Sequence, residues 1–112
     1  MVEYNEILNL TFRALADPTR RAMLESLRQG PQTIGSLAEP LDITFAATSK
    51  HLGILEEADL IRREKRGRER ICHLQQGHLQ QAHAWLDAHA AFWTRALDDL
   101  EAALKEEDQN NG

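Results

Sequence analysis

Between Thr44 and Leu74 the spacing of apolar residues changes once, and that change limits what the chain can fold into. From Thr44 to Ala58, Phe45, Thr48, Leu52 and Leu55 recur at steps of three and four, which predicts a helix with one inward stripe. Thr44 is placed to cap it, its hydroxyl accepting an early helical N–H. Asp59 follows and tolerates the left-handed backbone that ends helices. From Leu60 the pattern alternates instead. It predicts strands over Leu60–Lys65 and Arg68–Leu74, joined across Arg66-Gly67, with Gly67 supplying positive φ in the turn.

The two halves of this stretch also differ in chemistry. The outer side of the helix carries Ala46, Lys50 and Gly53, with Ser49 on its flank. Such a surface is bare enough to enter a DNA major groove, which admits one α-helix. The hairpin carries Arg62, Arg63, Lys65, Arg66, Arg68 and Arg70 against Glu64 and Glu69, a local charge of +4. The whole chain has a net charge of −5, which taken alone argues against nucleic acid. Its distribution matters more. Asp98, Asp99, Glu101, Glu106, Glu107 and Asp108 against Arg95 and Lys105 give the stretch from Arg95 to Gly112 a charge of −4, so the chain has a basic segment and an acidic end.

Upstream, Val2–Ala16 reads as a helix with Tyr4, Ile7, Leu8, Phe12 and Leu15 apolar. Asp17-Pro18 restarts the chain as an N-cap and first helical position, and Met23, Leu24 and Leu27 face inward until Gly30-Pro31. Thr33 caps a short third helix, Ile34 to about Glu39, and Pro40–Ile43 is the turn before the next one. Two helices joined so tightly form a helix-turn-helix. Downstream, Gln75-Gln76-Gly77 ends the hairpin and a long helix runs from about His78 to Glu107. Leu79, His83, Leu86, Ala90, Trp93, Leu97, Leu100 and Leu104 step by four and three along it, a coiled-coil-like seam. The N-terminal helix and the same helix of a second copy are its natural partners. A two-fold homodimer through Tyr4, Leu8, Leu86, Trp93, Leu97, Leu100 and Leu104 is therefore expected.

The length of 112 residues suits one domain, 1–107, with a polar tail at 108–112. The fold class is mainly α with a small β-hairpin: about five helices and a two-stranded wing. Cys72 has no partner cysteine, no apolar run approaches a membrane span, and no signal segment is visible, so a cytoplasmic protein is expected.

Two motifs carry a family resemblance. Thr44-Phe45-Ala46-Ala47-Thr48-Ser49-Lys50-His51-Leu52, followed by Leu55-Glu56-Glu57-Ala58-Asp59-Leu60-Ile61, resembles the recognition helix of ArsR-type winged-helix repressors. Ala14-Leu15-Ala16-Asp17-Pro18-Thr19-Arg20-Arg21 resembles the start of that family's second helix, and the likeness spans roughly Leu10 to Leu74. It implies a dimeric transcription regulator with a helix in the major groove and a wing beside it. Two positions depart from the pattern: Gly53 replaces a long polar residue and Asp59 a glycine. The likeness is to the branch with a Trp-bearing last helix, here Ala84-Trp85-Leu86 and Phe92-Trp93, and no cysteine box.

If the helix docks so, Thr44, Ala46, Ala47, Ser49, Lys50 and His51 lie nearest the DNA, with Arg66 and Arg68 at the wing tip. Ser49 and Lys50 reach base edges or phosphates, and the alanines offer apolar contact to a thymine methyl. Arg20 and Arg21 are expected in structural ion pairs. The family's metal sites are not completed here. Ile34–Glu39 holds no cysteine, and the partners that Asp87-Ala88-His89 would need fall on Leu100 and Ala103. No cofactor, metal or inducer is assigned. No phosphate loop or nucleophile–base arrangement marks an enzyme. A metal-responsive sensor and a winged-helix interaction module without DNA binding are the competing readings.

Overall fold

The computed structural model describes Tyr4 to Asn111, with side chains from 5 to 110. The elements run α1 (Tyr4–Leu15), α2 (Pro18–Leu27), β1 (Gln32–Thr33), α3 (Ile34–Ala38), a 3-10 turn (Glu39–Leu41), α4 (Phe45–Glu57), β2 (Ile61–Arg66), β3 (Glu69–Leu74) and α5 (Leu79–Asn111). Five helices and an antiparallel wing are thus present as expected. Val2, part of the expected first helix, lies outside the described residues.

The helix starts follow from their caps. Asp17 accepts from Thr19 N–H at 2.8 Å and Arg20 N–H at 3.3 Å, and Pro18 takes the first position of α2, where no N–H is needed. Thr33 accepts from Ser36 N–H at 3.1 Å to begin α3. After the 3-10 turn, Asp42 takes a left-handed conformation (φ 49°) and redirects the chain into α4. Asp59 (φ 56°) ends the turn after α4 in the same way.

Three features differ from the sequence expectation. First, the hairpin is part of a three-stranded sheet in the order β1-β3-β2. Gln32 and Thr33, expected only as a loop and a cap, pair with Cys72 and Ile71. Second, the turn is Gly67-Arg68, one residue later than expected, because Arg66 pairs with Glu69. Gly67 at φ 64° with Arg68 not positive has the sign pattern of a II′ turn, which suits the strand twist. Third, α5 continues through Asn111 instead of fraying at Asp108. No Pro or Gly interrupts it before Gly112.

The chain divides into two compact units, Met1–Ala82 and His83–Gly112. The first contains the core. Ala14 from α1, Met23 and Leu27 from α2, Leu37 from α3, Leu52 and Leu55 from α4, and Ala58, Leu60, Ile61 and Cys72 beyond it form one buried cluster. Each fully buried Leu or Met there contributes about 1.5–3 kcal/mol relative to exposure. Gly77 (φ 54°) passes so close to the end of α4 that a Cβ built on it lies 2.5 Å from the Asp59 carbonyl oxygen. The second unit is the helical stretch from His83 onward.

Candidate nucleic-acid interface

The scaffold under α4 is held by two arginines. Arg20 is buried, its Nε donating to the Ala14 carbonyl at 2.9 Å and its Nη2 to the Arg13 carbonyl at 2.7 Å. Arg21 donates to the Leu15 carbonyl at 2.7 Å. Both therefore satisfy the last carbonyls of α1, whose dipole favours a cation there. That replaces the ion pairs expected from sequence. Arg20 Nη1 also lies 3.1 Å from His51 Nδ1. A guanidinium only donates, so Nδ1 accepts and Nε2 carries the ring proton. At Asp17, burial pushes the carboxyl up. The Arg20 and Thr19 amides and the nearby Arg20 charge outweigh it and hold the group below the usual aspartate value.

Thr44 opens α4 by accepting from Ala47 N–H at 3.0 Å, while the Thr48 hydroxyl donates back to the Thr44 carbonyl at 2.9 Å. Thr44, Ala46, Ser49 and Lys50 are exposed. Ala47 is half-buried, as is His51, whose inner nitrogen is committed to Arg20. The four exposed residues and the outer edge of His51 form one small, weakly polar surface. Thr48, Leu52 and Leu55 are buried as expected. Phe45 is not: it is 77% exposed. On a helical wheel it lies above Leu52, but it is two turns nearer the helix start, past the edge of the core.

The wing shows which cations are committed within the fold. Arg63 pairs with Glu56 over Cys72, and Glu64 holds Arg66 at 3.2 Å, Arg62 at 3.7 Å and His73 at 2.8 Å. Hydrogen bonds from Arg66 and then His73 keep the Glu64 carboxyl below the usual glutamate range. Lys65, Arg68 and Arg70 are exposed and, among the described residues, form no ion pair. Lys65 and Arg70 stand directly opposite one another across the strands. Like charges so placed destabilise a sheet. Sequence reasoning chose Arg66 and Arg68 and missed this pair. Placing Gly67-Arg68 as the two-residue turn would have revealed it.

The side chains expected at a dimer seam divide. Leu86, Trp93, Leu97, Leu100 and Leu104 are all more than half exposed. Leu8 is 6% exposed and so is already buried within its own chain, contrary to the seam role expected for it. The alternation of α1 did not show this, nor that Thr11 and Ala14 would be its most buried positions. Tyr4's side chain lies outside the described residues. Along α5, His83 Nδ1 is 3.7 Å from Asp87, and His89 stacks on Trp85 with its Nδ1 2.8 Å from the Trp85 carbonyl. Among the described residues no three His, Cys, Asp or Glu are gathered to hold a metal ion. Cys72 is buried. Burial pushes its thiol up, against the lowering effect of Arg63.

A helix-turn-helix domain family matches residues 15–64, from the end of α1 into β2. The HTH-type transcriptional regulator Rv2034 of Mycobacterium tuberculosis is 41% identical over 86 residues, covering 77% of this chain and 78% of its own. The crystal structure of the ArsR family transcriptional regulator RHA00566 superposes with a TM-score of 0.75 at 41% identity, over 84% of this chain and 97% of that one. The chain belongs to the ArsR family. The transcriptional repressor SdpR of Bacillus subtilis is 40% identical over 60 residues, 54% of this chain and 67% of that protein. As an ArsR-family member, this is a winged helix-turn-helix, DNA-binding transcriptional regulator. These relatives are named as a transcriptional regulator and a transcriptional repressor. No described helix is long and apolar enough to cross a membrane.

Proposed function

We propose that this ArsR-family protein is a cytoplasmic repressor that binds a pseudo-palindromic operator as a homodimer. Each protomer sets α4 in the major groove of one half-site, the half-sites about one helical turn apart. Ser49 and Lys50 meet base edges or phosphates, and Ala46 and Ala47 make apolar contact. Thr44 and the outer edge of His51 flank them. The wing, through Arg66, Arg68 and the Lys65–Arg70 pair, holds the backbone or the minor groove. The observation that carries this reading is the exposed, small-residue face of α4 beside the wing cations Lys65, Arg68 and Arg70, which form no ion pair among the described residues.

The dimer is supported by five large apolar side chains, Leu86, Trp93, Leu97, Leu100 and Leu104, left exposed at seam spacing on one helix. The test is twofold. Sedimentation at micromolar concentration reports the dimer. Selection of bound fragments from random DNA, followed by titration with the recovered sequence, reports the operator. A monomer indifferent to duplex DNA in dilute buffer refutes the reading. Lys50→Ala that leaves affinity and preference intact refutes the assignment of α4 to the groove.

A further inference from the structure

We propose that Phe45 reads sequence, its ring making the apolar contact to a thymine methyl at one position of each half-site. This rests on the reading that α4 enters the major groove, and it names one base feature that the helix recognises. Among the described residues Phe45 is the most exposed large hydrophobic side chain, at 77%. It plays no part in starting the helix, since Thr44 accepts the Ala47 N–H. It occupies the first position of α4, four residues before Ser49, so the two are neighbours on the helix surface.

The first turn of a recognition helix is the part that meets base edges. In the major groove the apolar feature that distinguishes base pairs is the thymine C5-methyl. Ala46 and Ala47 end at Cβ, so the ring is the apolar group of that turn that reaches furthest. Phe45 also stands at the rim of an open cleft of about 670 Å³, shared by α3, the turn before α4 and the start of β3. Glu39, Asp42 and Glu69 line it together with Arg68 and Arg70. What Phe45 presents beside the groove is apolar contact.

The experiment replaces each thymine of the selected operator, one position per half-site at a time, with deoxyuridine, which lacks only the methyl. Wild-type protein is expected to lose about fourfold in affinity per half-site at one such position, the worth of one buried methyl. Phe45→Ala is expected to bind the thymine operator more weakly by at least that factor and to be indifferent to deoxyuridine there. Phe45→Leu restores part of the methyl response. An exposed residue is not needed for folding, and an unchanged urea midpoint for Phe45→Ala verifies that. If wild type and Phe45→Ala show the same deoxyuridine profile while both still select and bind the operator, the proposal is overturned and the groove assignment of α4 stands. If wild-type protein selects no sequence at all, the assignment itself has failed and this proposal with it.

Discussion

Removing Arg68 tests the wing at the point where structure and sequence part. Arg68 sits in the two-residue turn, is exposed and has no ion-pair partner among the described residues. Its charge is therefore available to a phosphate without first breaking a contact. Each phosphate contact contributes about 0.9 to the slope of log K against log salt on B-form DNA. A homodimer carries two wings, so Arg68→Ala should flatten that slope by about 1.8. Over a fourfold salt range, from about 50 to 200 mM, the salt-driven loss of affinity should then shrink by roughly tenfold. Arg63 is the control: it is partly covered and paired with Glu56, so Arg63→Ala should leave the slope unchanged. Arg66 falls between the two, because it must give up Glu64 to reach a phosphate. Fluorescence anisotropy with labelled operator across a salt series measures all three. An unchanged slope for Arg68→Ala, or an equal change for Arg63→Ala, would show that exposure and pairing within the fold do not decide which cations meet DNA.

Gly77→Ala should destabilise the fold by at least about 2 kcal/mol in urea, since it adds a Cβ against the Asp59 carbonyl in a left-handed conformation. Gly53→Ala meets no atom within 4 Å and should raise stability by up to about 1 kcal/mol; a loss there would mean the helix needs that glycine. Glu64 is held below its usual value, so its stabilising contribution is complete above the unfolded glutamate value and is lost as pH falls through the depressed folded one. Glu64→Gln should accordingly lower the urea midpoint at neutral pH and have less effect at about pH 3; an equal effect at both would contradict the sign. Leu97→Asp combined with Leu100→Asp should raise the dimer dissociation constant by at least about 100-fold, read by sedimentation, while helical circular dichroism persists. Retention of a tight dimer would place the seam elsewhere.

Much of the fold was legible because its signals are local. Asp17, Thr33 and Thr44 cap helices by reaching two or three residues ahead, and Asp59 ends one through its own backbone. The misses concern contacts made at a distance. Nothing near Gln32 announces that it pairs with Cys72, forty residues on. Arg20 was expected in an ion pair and is instead buried on the carbonyls of the preceding helix. Phe45 obeyed the spacing of the stripe, but spacing gives direction around a helix and not how far the core extends along it. In the interface, the bare face of α4 was readable residue by residue. The pairing state of each wing cation was not, because it depends on a register that moved by one residue at the turn.

The close approach of Gly77 to Asp59 brings the root of the long helix against the tail of α4. A side chain on residue 77 has no room there, and the imidazole of His78 stands 3.7 Å from the Asp59 carboxylate at the same joint. Residue 77 therefore accepts only glycine unless the backbone joining the end of α4 to the start of α5 shifts.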